Sequence, residues 1–390
     1  MSFSFPQKLH LPHFSLKPLS ALYFSFTLRF LSVSLVSVFI PIYILKLTGD
    51  FLYVLLFWAG FSFLVVLFAI PLGFVVSRIG FRWSVFVASL LLAAEFYLFS
   101  VLEGNLMLLY VIALVEAVKL HLFWLPYHLI FIKDGSDERF GRQISVVGVI
   151  GRLVSVAAPF LGGFIIASRG FPTLFNLALV LALVSSLPLF AMPHHPRQQF
   201  PGWRHILEET FTGGYRNMFF AFWGVRSVDL VASIAWPVFL FGISGESYKE
   251  VGLITSAVLL VSAVTMSAAG KASDKIGKRR VLRVGAWINS AVWLVKAFIR
   301  TPIQALVVDS FNKMVDGIQG VPFEALTYHK ALKRRHPLEF VIRREMLLHF
   351  GGLITSVLMI GLWHWGAPLT ALFIIASVGY LTSTLLIRSK

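Results

Sequence analysis

Eleven ionisable side chains stand inside stretches that are otherwise apolar: Arg29, Glu95, Glu116, Lys119, Arg152, Arg226, Asp229, Lys296, Asp309, Lys313 and Asp316. A charge in such surroundings is costly unless it meets a partner or a wet cavity. Asp309, Lys313 and Asp316 recur at i, i+4 and i+7, so they form one helical stripe, continued by Gly320. Glu116 with Lys119, and Arg226 with Asp229, are i, i+3 pairs. Such pairs either let charge survive in an apolar setting or make a switch, since protonating one carboxylate frees its cation for a new partner. Of His121, His128 and His349, hydrogen bonding or proton relay is expected and a metal site is not. Trp58, Trp124, Trp223, Trp236 and Tyr127 are expected as interface anchors or packing. No nucleotide loop, nucleophile elbow or zinc motif is present, so neither an enzyme nor a bound cofactor is expected. Without cysteine, thiol chemistry is excluded.

The elements that hold these charges are set by composition. Of 390 residues 57% are hydrophobic and 13% charged, too apolar for a water-facing surface. Apolar runs of about 20 residues recur along the chain, the length of a bilayer-crossing helix; barrel strands would alternate instead. Twelve spans are predicted, starting near Leu19, Phe51, Trp83, Asn105, Gln143, Pro172, Met218, Tyr248, Val281, Thr301, Val341 and Ala367. The polar stretch at 193–217 divides the chain into six-helix bundles at 1–192 and 218–390. The opening MSFSFPQKLHLPHFSLKP lacks an apolar core with a cleavage site, so no cleaved signal is expected. With this topology one side collects most of the Lys and Arg, from Lys8 to Lys390, and the other only Lys46, Arg169, Lys249 and Arg300. Both termini are therefore expected in the cytoplasm. The +16 net charge is explained by these loops, so nucleic acid is not an expected partner; the lipid bilayer is.

The two halves repeat each other. GFVVSRIGFRW at Gly73 matches GKASDKIGKRR at Gly270, pairing Gly73 with Gly270, Arg78 with Lys275, Gly80 with Gly277 and Arg82 with Arg279 at an offset of 197. Near the same offset Arg29 meets Arg226, Pro41 meets Pro237, Gly49 meets Gly245 and Pro126 meets Pro322. Glu138 precedes Arg142 by four residues, as Glu339 precedes Arg343. The first glycine of each loop motif permits close helix packing and the second a tight turn. A parallel repeat of this kind is expected of alternating-access transporters.

Over nearly its full length the chain resembles the major facilitator superfamily, whose G-x-x-x-D-R-x-G-R-R loop is echoed closely by Gly270, Asp274, Lys275, Gly277, Lys278, Arg279 and Arg280. The first copy departs from the pattern in carrying Ser77 where the family has Asp. The resemblance implies an all-α membrane fold of two six-helix bundles that moves a small-molecule substrate and works as a monomer in the cytoplasmic membrane. It implies that Gly73, Arg78, Gly80, Arg82, Gly270, Asp274, Lys275, Gly277 and Arg279 gate access, with Glu138, Arg142, Glu339 and Arg343 as partners. It also implies that spans one, four, seven and ten line the central cavity. Eight of the eleven charges lie on those spans: Arg29, Glu116, Lys119, Arg226, Asp229, Asp309, Lys313 and Asp316. At the repeat offset Glu116 maps to Lys313 and Lys119 to Asp316, so pairs across the cavity are expected, and Glu116 is the first choice for proton coupling. The Arg29 and Arg226 pair resembles the anion clamp of organic phosphate exchangers. GVIGRLVSVAAPFLGGF from Gly148 looks like a Gly and Pro pattern of family exporters. A proton-driven transporter, an exporter of amphipathic compounds, an anion exchanger and a sensor or scaffold that no longer transports are all consistent with these residues.

Overall fold

The computed structural model describes residues 18–134, 156–191, 199–200, 202–210, 215–332 and 337–388, and among these the chain has helices and turns but no strand. Helix α1 (Pro18–Val36) opens at residues 37–39, and α2 (Ile40–Thr48) restarts with Pro41 in its first turn, where a missing N–H costs nothing. Gly49 closes α2 at φ 70°, and Asp50 starts α3 (Phe51–Ser100) by accepting the Leu52 amide at 2.8 Å. A straight α3 of 50 residues would run ~75 Å, more than twice the ~30 Å hydrocarbon layer. It is broken at Gly80, with φ 78° and ψ 172°, into two helices.

Then follow α4 (Leu108–Asp134), α5 (Ala158–Arg169) and α6 (Phe171–Ser186). The short α7 (Trp203–Thr210) lies in the stretch between the halves. The second half consists of α8 (Arg216–Ile243), α9 (Tyr248–Ile276), α10 (Lys278–Lys296), α11 (Pro302–Leu332), α12 (Pro337–His364) and α13 (Leu372–Ser383). Eleven of the expected span starts fall within five residues of a described helix start or of the Gly80 break; the one near Gln143 lies outside the described residues. Seven helical segments among the described residues are long and apolar enough to cross a membrane. Helices α10 and α11 are not among them, because Arg283, Asn289 and Lys296 on one, and Asp309, Lys313 and Asp316 on the other, dilute their apolar windows.

The repeat is visible in the backbone. Gly49 and Gly245 have φ of 70° and 60°, and Gly80 and Gly277 have 78° and 94°, a region where a Cβ is strained. The symmetry is incomplete, since Pro41 follows a break whereas Pro237 sits inside an unbroken α8.

Helices of the two halves pack on one another as α3 with α12, α5 with α9 and α2 with α8. Gly73 lies against the Ile342 side chain, as expected of a packing glycine. Gly163 and Gly252 bring α5 and α9 so close that a Cβ on either would meet the partner's backbone, at Tyr248 and Pro159 respectively. Two large apolar clusters form the core. One gathers Ile42, Phe51, Phe96, Phe175, Ile234 and Phe373, and the other Phe81, Phe123, Phe222, Ile342 and Leu386; both draw on both halves.

Candidate functional site

A cavity of about 320 Å³ is lined by α1, the opening at residues 37–38, and helices α3, α4, α8, α9 and α11. Non-helical backbone at membrane depth is tolerable where it faces such a cavity, which accounts for the break between α1 and α2. The wall is aromatic, with Phe57, Trp58, Phe61, Phe96, Phe99 and Trp236, and carries Glu95, Glu116 and Lys119 from the first half and Asp309 and Lys313 from the second. Trp58 and Trp236 thus face the cavity, where the sequence led us to expect only anchors or packing.

In the first half, Lys119 Nζ donates to Glu95 Oε2 at 2.5 Å and pairs with Glu116 one turn away, as the i, i+3 spacing predicts. Glu95 is buried and Glu116 partly exposed. Two carboxylates therefore share one ammonium.

In the second half, Lys296 is 1% exposed and donates to Asp309 Oδ1 at 2.6 Å and to Asn312 Oδ1 at 2.8 Å. Trp236 Nε1 reaches Asp309 Oδ2 at 3.2 Å, and the Lys296 ammonium lies 4.2 and 4.0 Å from the Trp236 and Trp293 rings, within cation–π range. The hydrogen bonds continue inward. Asn312 Nδ2 donates to Asn289 Oδ1 at 2.9 Å, Asn289 Nδ2 to Gln319 Oε1 at 2.9 Å, and Gln319 Nε2 to Ser383 Oγ at 3.1 Å. Gln319 and Ser383 line a second cavity of about 180 Å³, shared with Asp229, Asp316, Glu324 and Tyr380, whose hydroxyl donates to Asp316 Oδ1 at 2.9 Å.

Several expected pairings differ. Asp309 does not bond along its own stripe but to Lys296 on the neighbouring helix, and Lys313 has Asp316 at 3.9 Å, beyond hydrogen-bond reach. Glu116 and Lys313 face the same cavity, yet among the described residues no ion pair within 4.0 Å joins them, nor does one join Arg226 to Asp229. The proposed arginine clamp does not face this cavity. Arg29 lies four residues before the lining residue Val33, and Arg226 six before Ala232, so both sit a turn or more towards the N-terminal end of their helices. Arg29 packs 4.0 Å from the Phe123 ring centre and reaches the Ala88 carbonyl at 3.4 Å, while Arg226 sits 5.9 Å from the Phe61 ring.

The halves meet at both ends of the cavity. On the side of the α2 C-terminus, Lys46 pairs with Glu246, Trp363 Nε1 donates to Asp50 Oδ1 at 3.2 Å, and the Phe160 amide to Ser256 Oγ at 2.9 Å. On the other side His128 bonds Tyr328 Oη at 2.7 Å, while Arg344 donates to His128 Nε2 at 3.0 Å, to Glu345 at 2.6 Å and to Glu324 at 3.1 Å. With Nε2 accepting, Nδ1 carries the hydrogen that goes to Tyr328. This latch is not legible in the sequence, where the basic residues up to Arg344 read only as a topology signal; α12 begins at Pro337, so Arg344 and Glu345 lie about two turns inside the helix.

Residues 22–243 match the family model described as Major Facilitator Superfamily, more than half of the chain. The chain belongs to the major facilitator superfamily. Solved structures with the same fold include the E. coli fucose:proton symporter FucP, at 13% identity and TM-score 0.68 over 96% of this chain and 98% of that one. The nucleoside transporter NupG aligns at 11% identity and TM-score 0.70, over 96% and 99%. FucP in its outward conformation aligns at 14% identity and TM-score 0.69, over 96% and 98%. No curated protein sequence matches. As a member of the superfamily the protein is a multi-pass membrane transporter of the secondary type.

The superfamily's loop residues are placed as follows. Arg78 is exposed, 5.0 Å from the Phe74 ring, and Arg82 lies 5.6 Å from the rings of Trp83 and Phe190. Ser77 donates to the Phe74 carbonyl at 2.6 Å, a bond local to its helix. Gly277 separates α9 from α10, with Arg279 exposed on the far side. Gly270, Asp274 and Lys275 belong to the end of α9, with side-chain surroundings outside the described set. Glu138, Arg142 and Arg152 lie outside the described residues, as does most of the stretch from Gly148. Glu339 and Arg343 pair with each other; Arg343 also donates to Tyr215 Oη at 2.6 Å, and His205 stands 3.4 Å from Glu339, which ties α12 to the stretch between the halves.

Proposed function

We propose that this superfamily member moves a small solute across the cytoplasmic membrane by alternating access, driven by a proton gradient, with Glu116 as the coupling carboxylate. Residues 1–192 and 218–390 rock against each other over a cytoplasmic linker at 193–217, and both termini face the cytoplasm. The observation that supports coupling is the sharing of Lys119 by Glu95 and Glu116 at the cavity wall. One ammonium offsets one carboxylate; the second has no ammonium of its own within hydrogen-bond reach and only the buried Arg29 further off, which leaves room for a proton or a cationic group. Glu116 is the more exposed of the two and is the member that solute and solvent protons reach. When the halves separate on one side, the cavity meets that compartment and the carboxylate exchanges its proton there.

The test is flux in proteoliposomes loaded with a metabolite library. Glu116→Gln is expected to abolish accumulation driven by an imposed pH gradient while sparing downhill exchange at saturating solute, because the amide stands in permanently for the protonated acid. Accumulation by the variant at the wild-type level would reduce Glu116 to an ion-pair member.

A further inference from the structure

We infer that the cavity takes a zwitterion with an aromatic or apolar body, its cationic end on Glu116 and its anionic end on Lys313. The inference rests on reading this cavity as the solute site. Of the five ionisable groups on the wall, three are committed. Lys119 serves both Glu95 and Glu116, Glu95 is 4% exposed with Lys119 on its Oε2, and Asp309 has one oxygen bonded by Lys296 and the other by Trp236. The remaining two keep capacity for a ligand. The Glu116 side chain is 27% exposed and shares its ammonium with a second acid, so its charge is only partly offset. Lys313 is 35% exposed, with Asp316 at 3.9 Å, so its N–H donors are unspent on that carboxylate.

These two groups have opposite sign and stand on opposite halves. A singly charged solute would satisfy one and strip water from the other without compensation, a loss the site would feel as reduced affinity. A zwitterion answers both, while Trp58, Phe61 and Trp236 supply an apolar wall for its body. Because its ends lie on different halves, such a ligand would also join them, coupling occupancy to closure without a direct Glu116 to Lys313 bond.

The test is calorimetric titration of the full-length protein in nanodiscs with three matched pairs: L-tryptophan and L-phenylalanine, the amines tryptamine and phenethylamine, and the acids indole-3-propionate and 3-phenylpropionate. The zwitterions should bind at least about tenfold tighter than either singly charged partner, the cost of one lost charged hydrogen bond. Lys313→Met should erase the advantage over the amines, and Glu116→Gln that over the acids. Equal or tighter binding by either singly charged class, or no zwitterion binding, overturns the inference. Uptake of an uncharged solute by protein that ignores zwitterions would sink the substrate class and leave proton-driven transport standing. Zwitterion binding with no gradient-driven uptake of any library member would do the reverse.

Discussion

The two halves both place an acid–base pair between adjacent helices across a short connection, and they do so with opposite sign. In the first half the acid, Glu95, is on the earlier helix and the base, Lys119, on the later; in the second the base, Lys296, comes first and the acid, Asp309, second. Their surroundings differ more than their chemistry. Lys119 faces the cavity and serves a surplus carboxylate, whereas Lys296 is sealed between two tryptophans and a run of amides, and every ionic partner it has is saturated. Buried charge alone is therefore no mark of function: a surplus charge beside a cavity can switch, and a balanced pair whose bonding positions are all engaged holds helices in place.

The largest expected effect tests the balanced pair. Lys296→Met strands Asp309 and should cost about 3–5 kcal/mol, seen as a lowered unfolding midpoint in detergent, whereas Lys296→Met with Asp309→Leu should recover most of it. Lys119→Met, facing the cavity and its water, should lose less; equal losses would erase the distinction between the halves. Next in size is Glu95→Gln, which gives the first half one acid and one base, as in the second. Stability should change by about 1–2 kcal/mol, but pH-driven accumulation should fall to passive equilibration. Retained accumulation would mean the surplus carboxylate is not what sets the halves apart. Smallest is Lys46→Ala, since Lys46 and Glu246 are well exposed at 41% and 64%: a loss under about 1 kcal/mol that shrinks further in high salt, measured in the same melt.

Much of the architecture was legible in the sequence because bilayer thickness fixes span length and duplication marks its turns twice. The positive φ at Gly80 and Gly277 follows from the repeated loop motif, and the Glu116–Lys119 contact from helical spacing alone. What escaped was every partner reached across helices. Periodicity gives the face of a residue on its own helix but not how that helix is rotated against its neighbour, so Asp309 was grouped with Lys313 while its ligand was Lys296. A usable signal did exist: both pairs place an acid and a base on either side of a short helix–helix connection, where antiparallel packing brings neighbours together. The arginine pair misled for a related reason. Repeat symmetry equates Arg29 with Arg226, but it does not give depth along the span, and both fall short of the cavity wall.

The amide run from Lys296 to Ser383 has a direction. Each primary amide has one end that can only give and one that can only receive, so once the ammonium engages the Asn312 oxygen, Asn289 and Gln319 are oriented in turn like dominoes. Turning Asn312 or Asn289 over would set two donors face to face on one side and two acceptors on the other, and turning Gln319 over would oppose its NH2 to that of Asn289. The row therefore has a single consistent arrangement so long as Lys296 stays charged, and the heading of its first member is communicated, amide by amide, from the central cavity to the rim of the smaller one.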